Sequence, residues 1–135
     1  MIFLDDMKDY IDSLGVDIPV YVANMPSEPT TCIALFEYAG MPPEQGYTHT
    51  PGLQLLIRTA PKKYSATYDA LYNISEALLS IGHEDGDNAA GMEINGTRYL
   101  RVYTPASGVN PLGKDDNGNP LFSKNYYVVM EEKHE

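Results

Sequence analysis

One stretch constrains the fold more than any other: GLQLLIRTAPKKYSATYDALYNISEALLSIG, from Gly52 to Gly82. It reads as an apolar strand, Leu53 to Thr59, that turns within a few residues into a long helix. On that helix Tyr64, Thr67, Tyr68, Leu71, Ile74, Ser75, Leu78 and Ile81 share one broad face, while Lys63, Asp69, Asn73 and Glu76 lie largely away from it. A face this wide is suited to covering a sheet, and Gly82 supplies the stop. A strand-to-helix turn is also a place for anion chemistry, because the helix start offers free N–H groups. A phosphate-cradling loop needs glycines, however, and TAPKKY has none, while Pro61 removes one of the donors. Proline in the first turn is what an ordinary helix start prefers, so the turn is expected to be scaffold, with Lys62 and Lys63 able to meet an acidic partner surface.

The rest of the chain supplies partners for that unit. IFLDDMKDYIDSLG spaces Ile2 or Phe3, Met7, Tyr10, Ile11 and Leu14 as an amphipathic helix over about 2–14 would. PVYVA is a short strand candidate, and Thr31 to Tyr38 a strand apolar enough to be covered on both faces. Ala39 to Pro51, rich in Pro and Gly, reads as a loop, and Pro105 to Lys124 as a second one. Between them Asn95-Gly96 marks a hairpin, since both residues tolerate the positive φ of a tight turn. In its second arm Tyr99, Arg101 and Tyr103 are expected on one face and Leu100 and Val102 on the other. NYYVVMEE is a last strand. The expected fold is a single α+β domain over residues 1–135, with an antiparallel or mixed β-sheet packed by the N-terminal helix and one long central helix, and with long loops at about 39–51 and 105–124.

Composition narrows the function. The formal charge of −10 argues against a specific nucleic-acid binder, which needs a basic stripe. The clustered cations Arg58, Lys62, Lys63, Arg98 and Arg101 read as solvated faces. No apolar run is long enough for a membrane span, and the N-terminal residues lack the pattern of a secretory signal, so the chain is expected in the cytoplasm where it is made. Cys32 lies in an apolar run and reads as a buried thiol. His49, His83 and His134 have no setting of a positioned base, and no nucleophile or zinc motif is present, so neither catalytic nor metal residues are assigned and the chain is not expected to be an enzyme. Asp115-Asp116-Asn117-Gly118-Asn119 resembles part of a calcium loop but lacks its alternation and closing glutamate, and reads as a turn.

Taken together, TCIALFEYAGMPPE, then PGLQLLIRT leading into YSATYDALYNISEALLSI, and later PLGKDDNGNPLFSKNYYVV resemble the minor capsid proteins of tailed bacteriophages and prophages that act as tail terminators at the head-to-tail junction. The resemblance spans roughly Met25 to Val129. It implies a ring, typically a hexamer, on the head-proximal end of the tail tube, which ends polymerisation of the tube protein and presents a surface to the head connector protein. Its partners would be further copies of itself, the major tail tube protein and the connector, with no cofactor and no membrane, in the virion after assembly in the host cytoplasm. Apolar residues in the two loops are the expected oligomer or tube contacts: Met41, Pro42, Pro43 and Tyr47 in the first, Val109, Pro111, Leu112, Leu121 and Phe122 in the second. The competing readings are a small ligand-binding or regulatory α+β domain, or another head-tail connector or tail-completion protein.

Overall fold

The computed structural model describes residues 2–41, 48–84, 86, 88–105 and 108–131. The chain forms α1 (Ile2–Ser13), β1 (Val20–Val22), β2 (Cys32–Met41), β3 (Thr48–Arg58), a single 3-10 turn (Pro61–Lys63), α2 (Tyr64–Leu79), β4 (Met92–Ile94), β5 (Thr97–Tyr103), β6 (Asn110–Lys114) and β7 (Pro120–Glu131). The strands make one mixed sheet in the order β1-β2-β3-β7-β5-β4, and β6 also pairs with β7. Only β1 and β2 run parallel.

Register divides each strand into two faces. Ile33, Leu35, Leu53, Leu55, Ile57, Phe122, Tyr126, Val128, Val102 and Tyr99 point to one side, where they close a core with Phe3, Leu4, Met7 and Ile11 of α1 and Leu71, Ile74 and Leu78 of α2. Both helices thus lie on the same side of the sheet. The inner stripe of α2 is narrower than the sequence face: Thr67, Leu71, Ile74 and Leu78 are buried, whereas Tyr64 and Tyr68 remain 44% and 40% exposed. Leu14, past the end of α1, is likewise exposed.

α1 is pinned to the β4–β5 hairpin by a buried polar group. The Tyr99 hydroxyl donates to Asp6 Oδ2 at 2.5 Å, and Asn95 Nδ2 reaches both Asp6 Oδ1 (3.0 Å) and Asp9 Oδ2 (2.8 Å). Burial, followed by the bond to Asp6, pushes the Tyr99 hydroxyl well above its ordinary pKa. The turn itself has φ of 50° at Asn95 and 84° at Gly96, the paired positive values the sequence requires.

Three expectations change. The alternation expected in β5 fails because a bulge falls between Tyr99 and Arg101: Leu100 is the extra residue, so Tyr99 and Val102 both face the core while Arg101 and Tyr103 face out. The expected loop at 39–51 is largely strand, since β2 runs to Met41 and β3, carrying His49, starts at Thr48. Gly40 is there for close approach rather than for a turn, as a Cβ would stand 1.8 Å from the Thr50 carbonyl oxygen. The second expected loop contains the β6–β7 hairpin.

The turn of that hairpin explains its calcium-like sequence. Asp115 Oδ1 accepts from the backbone N–H of Asn117 (2.9 Å) and Asn119 (2.8 Å), and Oδ2 accepts from Asn119 Nδ2 (3.1 Å). Those bonds, led by the Asn119 N–H, hold the carboxyl below its usual range. DDNGN is a self-capped turn.

Candidate assembly surfaces

The scaffold reading of the strand-to-helix turn agrees with the geometry. Thr59 is buried with its hydroxyl 2.9 Å from that of Thr67, which ties the strand end to the first turns of α2. Arg58, read from sequence as solvated, is instead 9% exposed. Its guanidinium donates to the carbonyls of Thr30 (2.8 Å), Pro26 (2.5 Å) and Pro29 (3.0 Å), and approaches Cys32 Sγ at 3.5 Å. It therefore folds the segment before β2 over one corner of the outer sheet face. Cys32 is fully buried there, and burial raises its thiol pKa, opposed by Arg58.

Beyond that corner no helix among the described residues lies on the outer face. Across four strands it presents Phe36 and Tyr38, Gln54 and Leu56, Asn125, Tyr127 and Val129, then Arg101 and Tyr103. A row of rings crosses it: Tyr38 lies 5.7 Å from Tyr127, Tyr127 lies 5.3 Å from Tyr103, and the Arg101 guanidinium stands 5.0 Å over Tyr103. Gly52 makes the row continuous. It sits between Tyr38 and Tyr127 in register, and a Cβ there would fall 2.5 Å from the Tyr38 ring. The Tyr38 hydroxyl reaches over β3 to donate to the Tyr126 carbonyl at 3.1 Å, and desolvation, then Tyr127, pushes its pKa up to about 12.

None of the described residues in the middle of this face is Asp or Glu, in a chain that has 19 of them. Glu93, opposite Arg98, and Glu131, at the end of β7, mark its margins. Aromatic residues and Arg with depleted carboxylates are the composition of an interface centre.

A second surface lies on the helix side. Tyr64, Tyr68 and Tyr72 form an exposed stripe at four-residue spacing on α2, and Tyr64 and Tyr68 stack at 6.4 Å. Beside Tyr68 and Tyr72 opens a slot of about 230 Å³, walled by Leu71 and Val109 and floored by Lys124 and Tyr126. Lys124 Nζ donates to the Gly108 carbonyl at 2.7 Å, and burial lowers its pKa. The Tyr126 hydroxyl is buried, with the Ser75 side chain as its polar neighbour, and desolvation, partly opposed by Ser75, raises it to about 12.

The residues proposed from sequence for contacts scatter over these surfaces. Val109 lines the slot, and Pro111 is exposed opposite Phe122, whose ring lies 5.9 Å from Tyr64. Leu112 is 52% exposed, Met41 is exposed at the far end of the sheet, and Leu121 is half-buried in β7. Phe122 is 2% exposed: its own domain covers it, because its strand position faces α2. Pro42, Pro43 and Tyr47 lie outside the described residues. Sequence reasoning missed the Tyr38–Tyr127–Tyr103 row, and its signal, tyrosines flanking a glycine across three strands, appears only once the register is known.

The free sheet edges are blunted. β1 and β4 have three residues each, and β6 carries Pro111 and Lys114 with a register shift between them. Short edges, proline, bulges and lysine all discourage strand addition.

No group of three His, Cys, Asp or Glu among the described residues is arranged to hold a metal, and no described helix is long and apolar enough to cross a membrane. Residues 4–132 match one protein-family model, described as bacteriophage tail terminator protein. No curated protein matches the chain. Among solved structures, one from the virion of a native gene transfer agent particle superposes with a TM-score of 0.60 at 11% identity, covering 90% of this chain and 84% of that one. A second solved structure gives 0.60 at 15% identity over 98% of this chain and 93% of the other. At such identities these two likenesses concern the fold alone.

Proposed function

The chain belongs to the bacteriophage tail terminator protein family, and on that premise we propose that it forms a ring, of six copies by the family resemblance, at the head-proximal end of a phage tail tube. There it ends addition of tube protein and offers its other side to the head connector protein. The observation that carries this reading is the half-buried aromatic sheet face, with no Asp or Glu among the described residues of its middle, in a chain of charge −10. An acidic protein that lived alone has no reason to keep Phe36, Leu56, Tyr127 and Val129 together on a sheet face without a covering layer. The reading asks for no cofactor and no catalytic residue, and places the protein in the virion.

The test is solution mass by light scattering across a concentration series, then negative-stain microscopy alone and with the cognate tube protein. Closed rings, or caps on tubes of limited length, are expected. A chain that stays monomeric and leaves tube length unchanged refutes the reading and favours the small ligand-binding domain. Rings that bind head connectors but not tube ends reassign the protein to another position at the same junction.

A further inference from the structure

We infer that neighbouring copies join head to tail, the α2 tyrosine slot of one copy receiving the aromatic sheet face of the next, with Glu76 next to the slot across from Arg101 on the incoming face. This rests on the ring reading and names the contact that builds the ring.

Four observations lead there. Copies of a chain with charge −10 repel over most of their surface, so close contact needs regions poor in carboxylates. Among the described residues the outer sheet face and the slot beside Tyr68 and Tyr72 are such regions, and they lie on opposite sides of the sheet. A contact between two different patches of one chain is heterologous, the kind that closes into rings, whereas a patch meeting itself stops at a dimer.

The charges that remain are complementary. Next to the slot, beyond Tyr72, stands the exposed carboxylate of Glu76, which accepts from the Tyr72 hydroxyl at 2.9 Å. The sheet face holds one exposed cation near its ring row, Arg101, stacked on Tyr103. Pairing slot with slot would set Glu76 against Glu76, and pairing face with face would set Arg101 against Arg101; only the mixed contact matches opposite charges.

The slot also has the size for an anchor. At about 230 Å³, between the Tyr68 and Tyr72 rings and the side chains of Leu71 and Val109, it accommodates one large side chain. Finally, the short or proline-bearing edges leave the faces as the means of joining.

Charge reversal tests this with exposed residues only. Glu76→Arg and Arg101→Glu, each alone, are expected to raise the concentration needed for ring assembly by about tenfold or more, with the circular dichroism melt of each subunit unchanged. Two rescues are expected. The double variant Glu76→Arg/Arg101→Glu assembles again, and so does a one-to-one mixture of the two single variants, because every slot then meets a face of opposite charge when the variants alternate. Wild-type rings that persist in both single variants, or single variants that fail and are rescued in neither way, overturn the contact while leaving the ring reading intact. Single variants that form normal rings yet no longer cap tubes assign these residues to the tube instead, which also overturns it. A wild type that forms no ring refutes the ring reading itself and the contact with it.

Discussion

Gly52 is the position where the outer face is most easily perturbed without touching the core. Replacing it by alanine adds one methyl group, which would fall 2.5, 2.6 and 2.7 Å from three atoms of the Tyr38 ring. The ring cannot simply swing away, because its hydroxyl is bonded to the Tyr126 carbonyl and its other side rests against Tyr127. Inserting a methyl into such a contact costs about 1–3 kcal/mol. For a 135-residue domain, roughly 1 kcal/mol moves Tm by about 3.5 °C, so Gly52→Ala is expected to lower Tm by about 4–10 °C. The background makes the cause explicit. In Tyr38→Ala the obstructing ring is gone, and an alanine in a strand interior is about 0.5–1 kcal/mol better than glycine, so the same substitution becomes neutral or stabilising. Urea or thermal unfolding of the four proteins, followed by circular dichroism, gives the coupling, expected at about 2 kcal/mol or more. Equal costs of Gly52→Ala with and without Tyr38 would show that the ring does not lie over β3, and the continuous aromatic row would have to be abandoned.

Other consequences concern the corrected residues. Phe122→Ala is expected to destabilise the isolated subunit by about 3–5 kcal/mol in urea titration, as for any buried aromatic; a loss below about 1 kcal/mol would return Phe122 to the surface. Arg58→Met keeps the aliphatic length but removes the donors to three carbonyls, and a loss of about 2–4 kcal/mol, with faster proteolysis of the segment before β2, is expected; unchanged cleavage would show that the segment holds itself. Asp115 has a native pKa below its unfolded value, so its contribution is present above the unfolded pKa and is lost as pH falls through the native one. The protection of the Asn117 and Asn119 amides relative to their intrinsic exchange rates should accordingly fall at strongly acid pH, and in Asp115→Ala it should already be low at neutral pH.

Much of the fold was legible because sequence periodicity reports the inner face of a single body. Leu71, Ile74 and Leu78 recur at helical spacing, Asn95-Gly96 demands a tight turn, and the buried thiol of Cys32 follows from its apolar neighbours. The misreadings share one cause. Gly and Pro read as loop residues by default, yet Gly40 is a strand residue placed for close approach, and Pro111 sits on an edge where a missing donor costs nothing. Arg58 belongs to the same class: a cation is placed outside by default, and only the three-dimensional path of Pro26, Pro29 and Thr30 supplies the carbonyls that let it be buried.

An assembly surface is harder to read for a reason that lies in register. A bulge at Leu100 reverses the phase of β5, so that Arg101 joins the same face as Val129 while Val102 turns inward with Val128. One residue of shift exchanges every side chain between core and partner. The informative property of the outer face is a missing residue type, carboxylate, across four strands that are distant in sequence, and no window along the chain contains that pattern. It follows that the apolar content of a segment read as loop is a weak guide to exposure here, as Phe122 shows by turning inward. The scarcity of carboxylates on a registered sheet face is the signal on which the proposed contact rests, because a −10 chain has acids to place and has put most of them elsewhere.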